Sequence, residues 1–163
     1  MSPIWRITAF ADLAGLGGEK SSARWHWAAP GKRIVYLAEH PALSLLEIIA
    51  NLKGKPKLFP ETYELMKLRI ADDVSVAPLS LDSLPSDWPE KLEETRSLGD
   101  AWLADKQSCL LTVPSAVCPE ATNYLFNPLH ADAGGVSIEW SRRLRYDKRL
   151  FLAHELKASE IPY

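Results

Sequence analysis

Short segments of β-forming residues alternate with two helical segments along this chain, and this alternation constrains the fold more than any other feature. Residues 41–53 form the clearest helix, because Pro41 suits the first helical position, good helix formers follow, and Gly54 ends the pattern. A second helix is expected over residues 90–105, and Gly99 is a point where it can be interrupted. The pattern indicates a mixed α/β or α+β fold and not a helical bundle.

The predicted strands are recognised by alternating apolar and polar residues or by a high content of β-forming residues. They cover residues 4–9, 33–38, 62–70, 108–113 and 136–146. Residues 71–85 are rich in turn-forming residues and predict a connection without regular structure. Pro114 ends the fourth strand, so Ser115 lies directly after the C-terminal end of that strand. Because no repeat or biased segment divides the chain, we expect one domain over residues 1–163.

Composition argues against several classes of function. A formal net charge of −2 provides no basic field for phosphate backbones, so nucleic acid is not the expected direct substrate. No apolar run approaches the roughly 20 residues that span a bilayer, and the N-terminus does not resemble a signal peptide, so a cytoplasmic location is expected. The two cysteines, Cys109 and Cys118, lack zinc-site spacing and are expected to be small core residues, with no metal bound.

Arg24 and Glu47 are two candidates for chemistry. The Arg24 guanidinium, next to Trp25, could hold a pyrophosphate through two N–H groups, although composition alone favours a surface arginine lying over Trp25. Glu47 is the only charged residue in an apolar helical segment, so a partly buried Glu47 would need a ligand or an arginine as partner. Its helical neighbours are small and polar, however, and an exposed helix face explains Glu47 equally well.

Four further residues have both a chemical and an ordinary structural interpretation. Ser115, at the end of a strand, is either an orienting hydroxyl or a turn residue, and no GxSxG motif marks it as a nucleophile. Tyr36 could stack on a flat ring such as nicotinamide or adenine, or pack within the core. Asn127 and His130, next to a proline, suit polar ligand recognition or turn formation. The absence of P-loop and GxGxxG motifs disfavours NTPases and dinucleotide-binding Rossmann domains.

Taken in order, the short motifs of this chain resemble the RES domain, a bacterial family named for an arginine, a glutamate and a serine. The resemblance extends over nearly the whole chain and is carried by Trp5-Arg6-Ile7, Ala23-Arg24-Trp25-His26, Ile34 to Glu39, Ala42 to Glu47, Val113-Pro114-Ser115-Ala116 and Asn123 to His130. It implies Arg24, Glu47 and Ser115 as catalytic residues, and Tyr36, Arg6, Asn127 and His130 as NAD-binding residues. Ala23 replaces the glycine that usually precedes the arginine, which can stiffen this loop.

The resemblance also implies a fold and a function. The fold is expected to resemble that of ADP-ribosyltransferases, with a mixed sheet and flanking helices. The expected role is the toxin of a type II toxin–antitoxin pair that degrades NAD by phosphorolysis or hydrolysis and so arrests growth. The expected partner is an Xre-type helix-turn-helix antitoxin, and a homodimer within that complex is one option. NAD is then the substrate, inorganic phosphate a potential co-substrate, and no resident cofactor is needed.

Cleavage of the nicotinamide–ribose bond leaves positive charge on the ribose, and a carboxylate near that carbon stabilises it. We expect Glu47 to fill this role, Arg24 to hold the pyrophosphate, Ser115 to orient the ribose or amide, and Tyr36 to stack on the ring. Two alternatives remain open at this point. One is a protein ADP-ribosyltransferase that uses NAD, and the other is a nucleotide-binding partner module without catalytic activity.

Overall fold

The computed structural model describes residues 1–52 and 61–150. The strands are β1 Ile4–Thr8, β2 Val35–Ala38, β3 Glu64–Ile70, β4 Val76–Pro78, β5 Leu110–Pro114, β6 Thr122–Phe126 and β7 Val136–Arg143, and the helices are α1 Gly17–Lys20, α2 Pro41–Asn51 and α3 Leu92–Asp105. The strands form a seven-stranded sheet in the order β4-β5-β6-β2-β1-β3-β7. Strands β4 and β5 pair parallel and all other neighbours pair antiparallel. The predicted mixed α/β class is confirmed.

Apolar side chains cover both faces of the sheet, because successive residues of a strand point to opposite faces. One face, which we call the aliphatic face, carries Ile4, Val35, Leu37, Met66, Leu68, Leu110 and Phe126. The other, the tryptophan face, carries Leu111, Val113 and Leu125 and is covered by Trp25, Trp88 and Trp102. Burial of both faces stabilises the central strands, and polar side chains are left at the ends of the sheet.

Helix α3 is continuous through Gly99, so the interruption that the sequence allowed at this residue does not occur. A Cβ atom added to Gly99 would lie 1.7 Å from the carbonyl oxygen of Trp25. Glycine is therefore present because the loop around Trp25 packs directly on the helix backbone. The helix begins at Leu92, after a 3₁₀ turn over Trp88–Glu90, and not at residue 90.

The main other differences from the predicted elements concern strands β4, β6 and β7. Residues 71–85, expected to be irregular, include β4, a three-residue edge strand that exists through its pairing with β5. No strand was predicted for Thr122–Phe126, yet β6 is central and pairs with both β2 and β5. Strand β7 ends at Arg143 and not at residue 146. The predicted helix over residues 41–53 is confirmed to Asn51, and its last residue and Gly54 lie outside the described residues.

Candidate functional site

Helix α2 places Glu47 beside the ends of two neighbouring strands, where β5 ends and β6 begins. The helix starts with the side chain of His40 accepting a hydrogen bond from the backbone N–H of Ala42. Glu47 is half-buried, and its Oε1 accepts hydrogen bonds from Ser115 Oγ at 2.7 Å and Asn123 Nδ2 at 2.6 Å. We call Glu47, Ser115 and Asn123 the Glu47 cluster. Its hydrogen bonds favour the partly buried interpretation of Glu47 over an exposed helix face.

Ser115 is fully buried, and its hydroxyl has no remaining capacity for hydrogen bonding. The hydroxyl donates to Glu47 and accepts from the backbone N–H groups of Val117 and Cys118, both at 3.1 Å. A serine hydroxyl has one proton to donate and two lone pairs, so all of its positions are occupied. Ser115 therefore orients the Glu47 carboxylate and closes the turn after β5. The geometry gives this serine a positioning role.

The Arg24 guanidinium lies over the ring of Trp88, with its central carbon 5.6 Å from the ring centroid, and not over Trp25 as expected. One of its N–H groups donates to the carbonyl of Pro89 at 2.8 Å. The remaining N–H groups find no acceptor among the described residues. Burial lowers the pKa of Arg24, while the nearby Glu47 acts in the opposite direction. Arg24 and Glu47 thus lie close enough to interact electrostatically.

Helix α3 holds the backbone of the loop that carries Arg24. The hydroxyl of Thr95, itself fully buried, donates to the carbonyl of Arg24 at 2.7 Å. The next residue, Arg96, donates from Nε to the carbonyl of Ala23 at 2.7 Å and lies over the ring of Trp27. These consecutive contacts fix the direction in which the Arg24 side chain leaves the loop.

The hydroxyl of Tyr36 holds the same loop from the sheet. It accepts a hydrogen bond from the backbone N–H of Trp25 at 3.1 Å and lies 2.7 Å from Nδ1 of His26. Because Nε2 of His26 lies 2.9 Å from the carbonyl of Ser21 and must donate to it, a neutral His26 accepts the Tyr36 proton at Nδ1. Burial raises the pKa of Tyr36, which keeps the phenol neutral. Its hydroxyl is therefore occupied, and only the ring remains for contact with a ligand.

The buried His26 is expected to make stability depend on pH. Burial lowers the pKa of His26 from its ordinary value of 6.5, so the unfolded chain binds this proton more readily than the folded protein does. Above about pH 6.5, protonation of His26 therefore does not reduce the free energy of unfolding. As the pH falls below this value, the free energy of unfolding decreases. Denaturant unfolding at neutral and mildly acidic pH measures this effect. In His26→Gln, the loss of stability between these pH values should be smaller than in the wild type.

The exposed His40 offers the matched control. His40→Asn keeps a side chain that can accept the hydrogen bond at the start of α2. This variant should retain the pH dependence of the wild type. An unchanged pH dependence in His26→Gln would contradict the assignment of this effect to His26.

Three of the predicted site residues lie elsewhere. In β1, Trp5 pairs with Ala38 and points to the tryptophan face. Arg6 is the next residue, so its side chain points to the aliphatic face. There it donates to the carbonyl of Asp12 at 3.0 Å. Asn127 and His130 follow the end of β6 that is remote from Asn123.

Both of these side chains stabilise turns. Asn127 Oδ1 accepts from the backbone N–H of Leu129 at 3.0 Å. The His130 ring accepts from the N–H of Asp132 and lies 3.0 Å from the carbonyl of Lys106. The structure thus brings Arg24, Tyr36, Glu47 and Ser115 to one side of the sheet, and places Arg6, Asn127 and His130 apart from them.

Sequence reasoning missed Asn123 and Arg96. Asparagine is depleted in strands, so an asparagine among β-forming residues is a signal for Asn123, but only once β6 is recognised. Arg96 follows Glu93 and Glu94, a charge pattern typical of a solvated helix face, so no local feature distinguishes it.

The described residues show no group of three or more histidine, cysteine or acidic side chains that could hold a metal ion. Cys109 is a fully buried free thiol, and burial raises its pKa to about 11, which keeps it protonated at neutral pH. In the part of the chain that the structure describes, no helix has the length and apolar character needed to cross a membrane.

Comparison with known proteins places the chain in a family. The RES domain model matches residues 3–149, which carry the whole Glu47 cluster. The chain belongs to the RES domain family. Toxin Res of Pseudomonas putida is 43% identical to this RES protein over 148 residues, covering 91% of this chain and 99% of that one. The Prs ADP-ribosylating toxin of a Sphingobium species is 33% identical over 157 residues, covering 90% and 95% of the two chains.

A solved structure has the same fold as this RES protein. It is the MbcT–MbcA toxin–antitoxin complex of M. tuberculosis, in which the matching chain superposes with a TM-score of 0.72 at 17% identity, covering 93% of this chain and 87% of that one. The family and the names of the relatives assign this RES protein to the toxins.

Proposed function

We propose that this RES protein cleaves the nicotinamide–ribose bond of NAD. The observation that carries the proposal is the asymmetry of the Glu47 carboxylate, whose Oε1 accepts two hydrogen bonds. Its Oε2 has no hydrogen-bond donor among the described residues, and it is not among their buried unpaired atoms. A fixed anion with one oxygen available for a ligand suits a reaction in which positive charge develops next to it.

Glu47 would act on the ribose of NAD. When the bond between C1′ of the ribose and the nicotinamide nitrogen breaks, its electron pair goes to the nicotinamide ring and positive charge develops on the ribose. A carboxylate at this point stabilises the oxocarbenium-like transition state, as in glycoside hydrolysis. An oxygen of phosphate or of water then bonds to C1′, and an attacking water releases one proton to solvent. Since nicotinamide leaves as a neutral ring, no strong general acid is required.

Arg24 would hold the diphosphate of NAD. Its guanidinium has unused N–H groups, and the contacts with Trp88 and Pro89 limit its rotamers before any ligand binds. Such preorganisation lowers the entropy cost of binding, and a planar fork of donors matches phosphate oxygens. Tyr36 would contribute its ring to the nicotinamide side, since its hydroxyl is occupied. Ser115 would act through Glu47 and not through direct contact with NAD.

The protein partner proposed for this toxin is an Xre-type antitoxin. The solved structure with the same fold is a toxin–antitoxin complex, which supports an antitoxin in general. Depletion of NAD would stop growth without any membrane or nucleic-acid target. A bound antitoxin would therefore be sufficient to control the activity of the toxin.

A protein side chain is the second candidate acceptor. The Sphingobium relative is named an ADP-ribosylating toxin, which favours this alternative. The same bond of NAD breaks in both cases, and Glu47 has the same role. The two reactions differ only in the group that bonds to C1′.

NAD consumption by the purified protein, with and without inorganic phosphate, tests the proposal. We expect nicotinamide together with either ADP-ribose phosphate or ADP-ribose, and mass spectrometry of the products identifies the acceptor. ADP-ribose attached to lysate proteins, with slow NAD loss in their absence, would indicate the second candidate. Intact NAD and unmodified proteins after treatment with folded protein would reject both reactions.

A further inference from the structure

We infer that Asn123 is a positioning residue for the reaction, which directs the free oxygen of Glu47 toward the substrate together with Ser115. The inference rests on the proposed function, because it names how the carboxylate of that same site is held. Asn123 Nδ2 lies 2.6 Å from Glu47 Oε1. A carboxylate can only accept, so the amide nitrogen of Asn123 must face it, and the orientation of the amide is determined.

One donor, Asn123, lies on β6, and the other, Ser115, lies directly after the neighbouring strand β5. Asn123 pairs with Val113 of β5, and Ser115 follows two residues after Val113. Asn123 also pairs with Ala38 of β2, so its backbone lies inside the sheet with partners on both sides. A donor on a central strand is held more precisely than one on a loop.

Both donors reach the same carboxylate oxygen, which restricts rotation of the group. With a single donor, the carboxylate could rotate and exchange its oxygens, because terminal torsions of glutamate are broad. With one donor on β6 and the other just after β5, Oε1 is fixed, and Oε2 is the oxygen left without a donor among the described residues. Asn123 thus determines which oxygen meets the ribose.

The sheet itself gains little from an asparagine at this position. Asparagine is among the residues depleted in strands, and β6 is central. Residues that conflict with their local structure without a stabilising gain are typical of functional sites. The hydrogen bond to Glu47 provides the reason for this one.

Asn123→Asp tests the inference through the pH profile. It places a second carboxylate where the amide contacts Glu47, and two carboxylates at this distance do not ionise independently. The charged neighbours of the pair are Arg24 on the facing loop and Glu39, which accepts from the N–H of Thr122. We expect the acid limb of kcat to move upward by about one pH unit or more. Asn123→Ala should lower kcat about tenfold or more, with KM for NAD changed less than about twofold.

Gln107→Glu is the matched control, since it makes the same amide-to-carboxylate change at an exposed residue just before β5, at the opposite end of that strand from Ser115. Its pH profile and kcat should match the wild type. A wild-type profile in Asn123→Asp, or an Asn123→Ala variant with unchanged kcat, would overturn the inference.

The titration of Glu47, followed by carboxyl NMR, separates this inference from the proposed function. If the wild-type protein leaves NAD intact but the titration of Glu47 shifts upward in Asn123→Asp, the proposed reaction is rejected and the contact is retained. An unchanged titration would reject the contact whatever the activity. If Asn123→Asp does not fold, Asn123→Ala decides through kcat and KM.

Discussion

Replacing Glu47 by glutamine is expected to reduce NAD turnover about 100-fold or more while leaving the melting temperature nearly unchanged. Glutamine has the same shape, and its oxygen can accept from both Ser115 and Asn123, so the hydrogen bonds of the cluster are kept. The negative charge facing the ribose is lost. Steady-state NAD consumption and thermal unfolding measure the two effects, and growth after induction reports the loss of toxicity.

Glu39→Gln is the matched control for this variant. Glu39 is an exposed carboxylate that accepts from the backbone N–H of Thr122 at 2.7 Å, and glutamine can keep that bond. It should retain wild-type turnover. Full activity of a folded Glu47→Gln protein would reject the proposed mechanism. A large drop in melting temperature with normal specific activity would instead assign Glu47 a structural role.

Replacing Gly99 by alanine is expected to reduce the free energy of unfolding by about 3 kcal/mol or more. The new methyl carbon would lie 1.7 Å from the carbonyl oxygen and 2.7 Å from the carbonyl carbon of Trp25. These are backbone atoms, so no side-chain rotation relieves the overlap. The loop must move away from α3, which would break its contacts with Thr95 and Arg96. Urea denaturation measures the loss of stability.

This variant is also expected to lose turnover beyond its loss of folded protein, because the displaced loop carries Arg24. The control is Gly134→Ala, where an added Cβ meets no atom within 4 Å. That change should alter stability by less than about 1 kcal/mol and leave activity intact. Wild-type stability of Gly99→Ala would show that the loop does not pack against α3 as closely as described.

Local signals in the sequence were sufficient for part of the fold. Helix α2 was predicted because proline at its start and a run of helix formers depend only on neighbouring residues. Strands β1, β3 and β5 were predicted because their apolar residues follow a local pattern. Strand β4 was missed because its pairing partner, and not its own residues, stabilises it. Strand β6 was missed although Tyr124, Leu125 and Phe126 are β-forming residues, because Asn123 and the turn at Asn127 interrupt the local pattern.

The candidate site divides in the same way. The sequence by itself determined the family resemblance and the isolated charge of Glu47, since both depend on the order of residues along the chain. Only the tertiary structure decided that Ser115 and Asn123 share one oxygen of Glu47, and that Arg6, Asn127 and His130 lie elsewhere. These two hydrogen bonds to Glu47 join residues that are separated by 68 and 76 positions in the sequence. They depend on strand register and on which sheet face a side chain occupies. Those are properties of the folded sheet, which no local pattern contains.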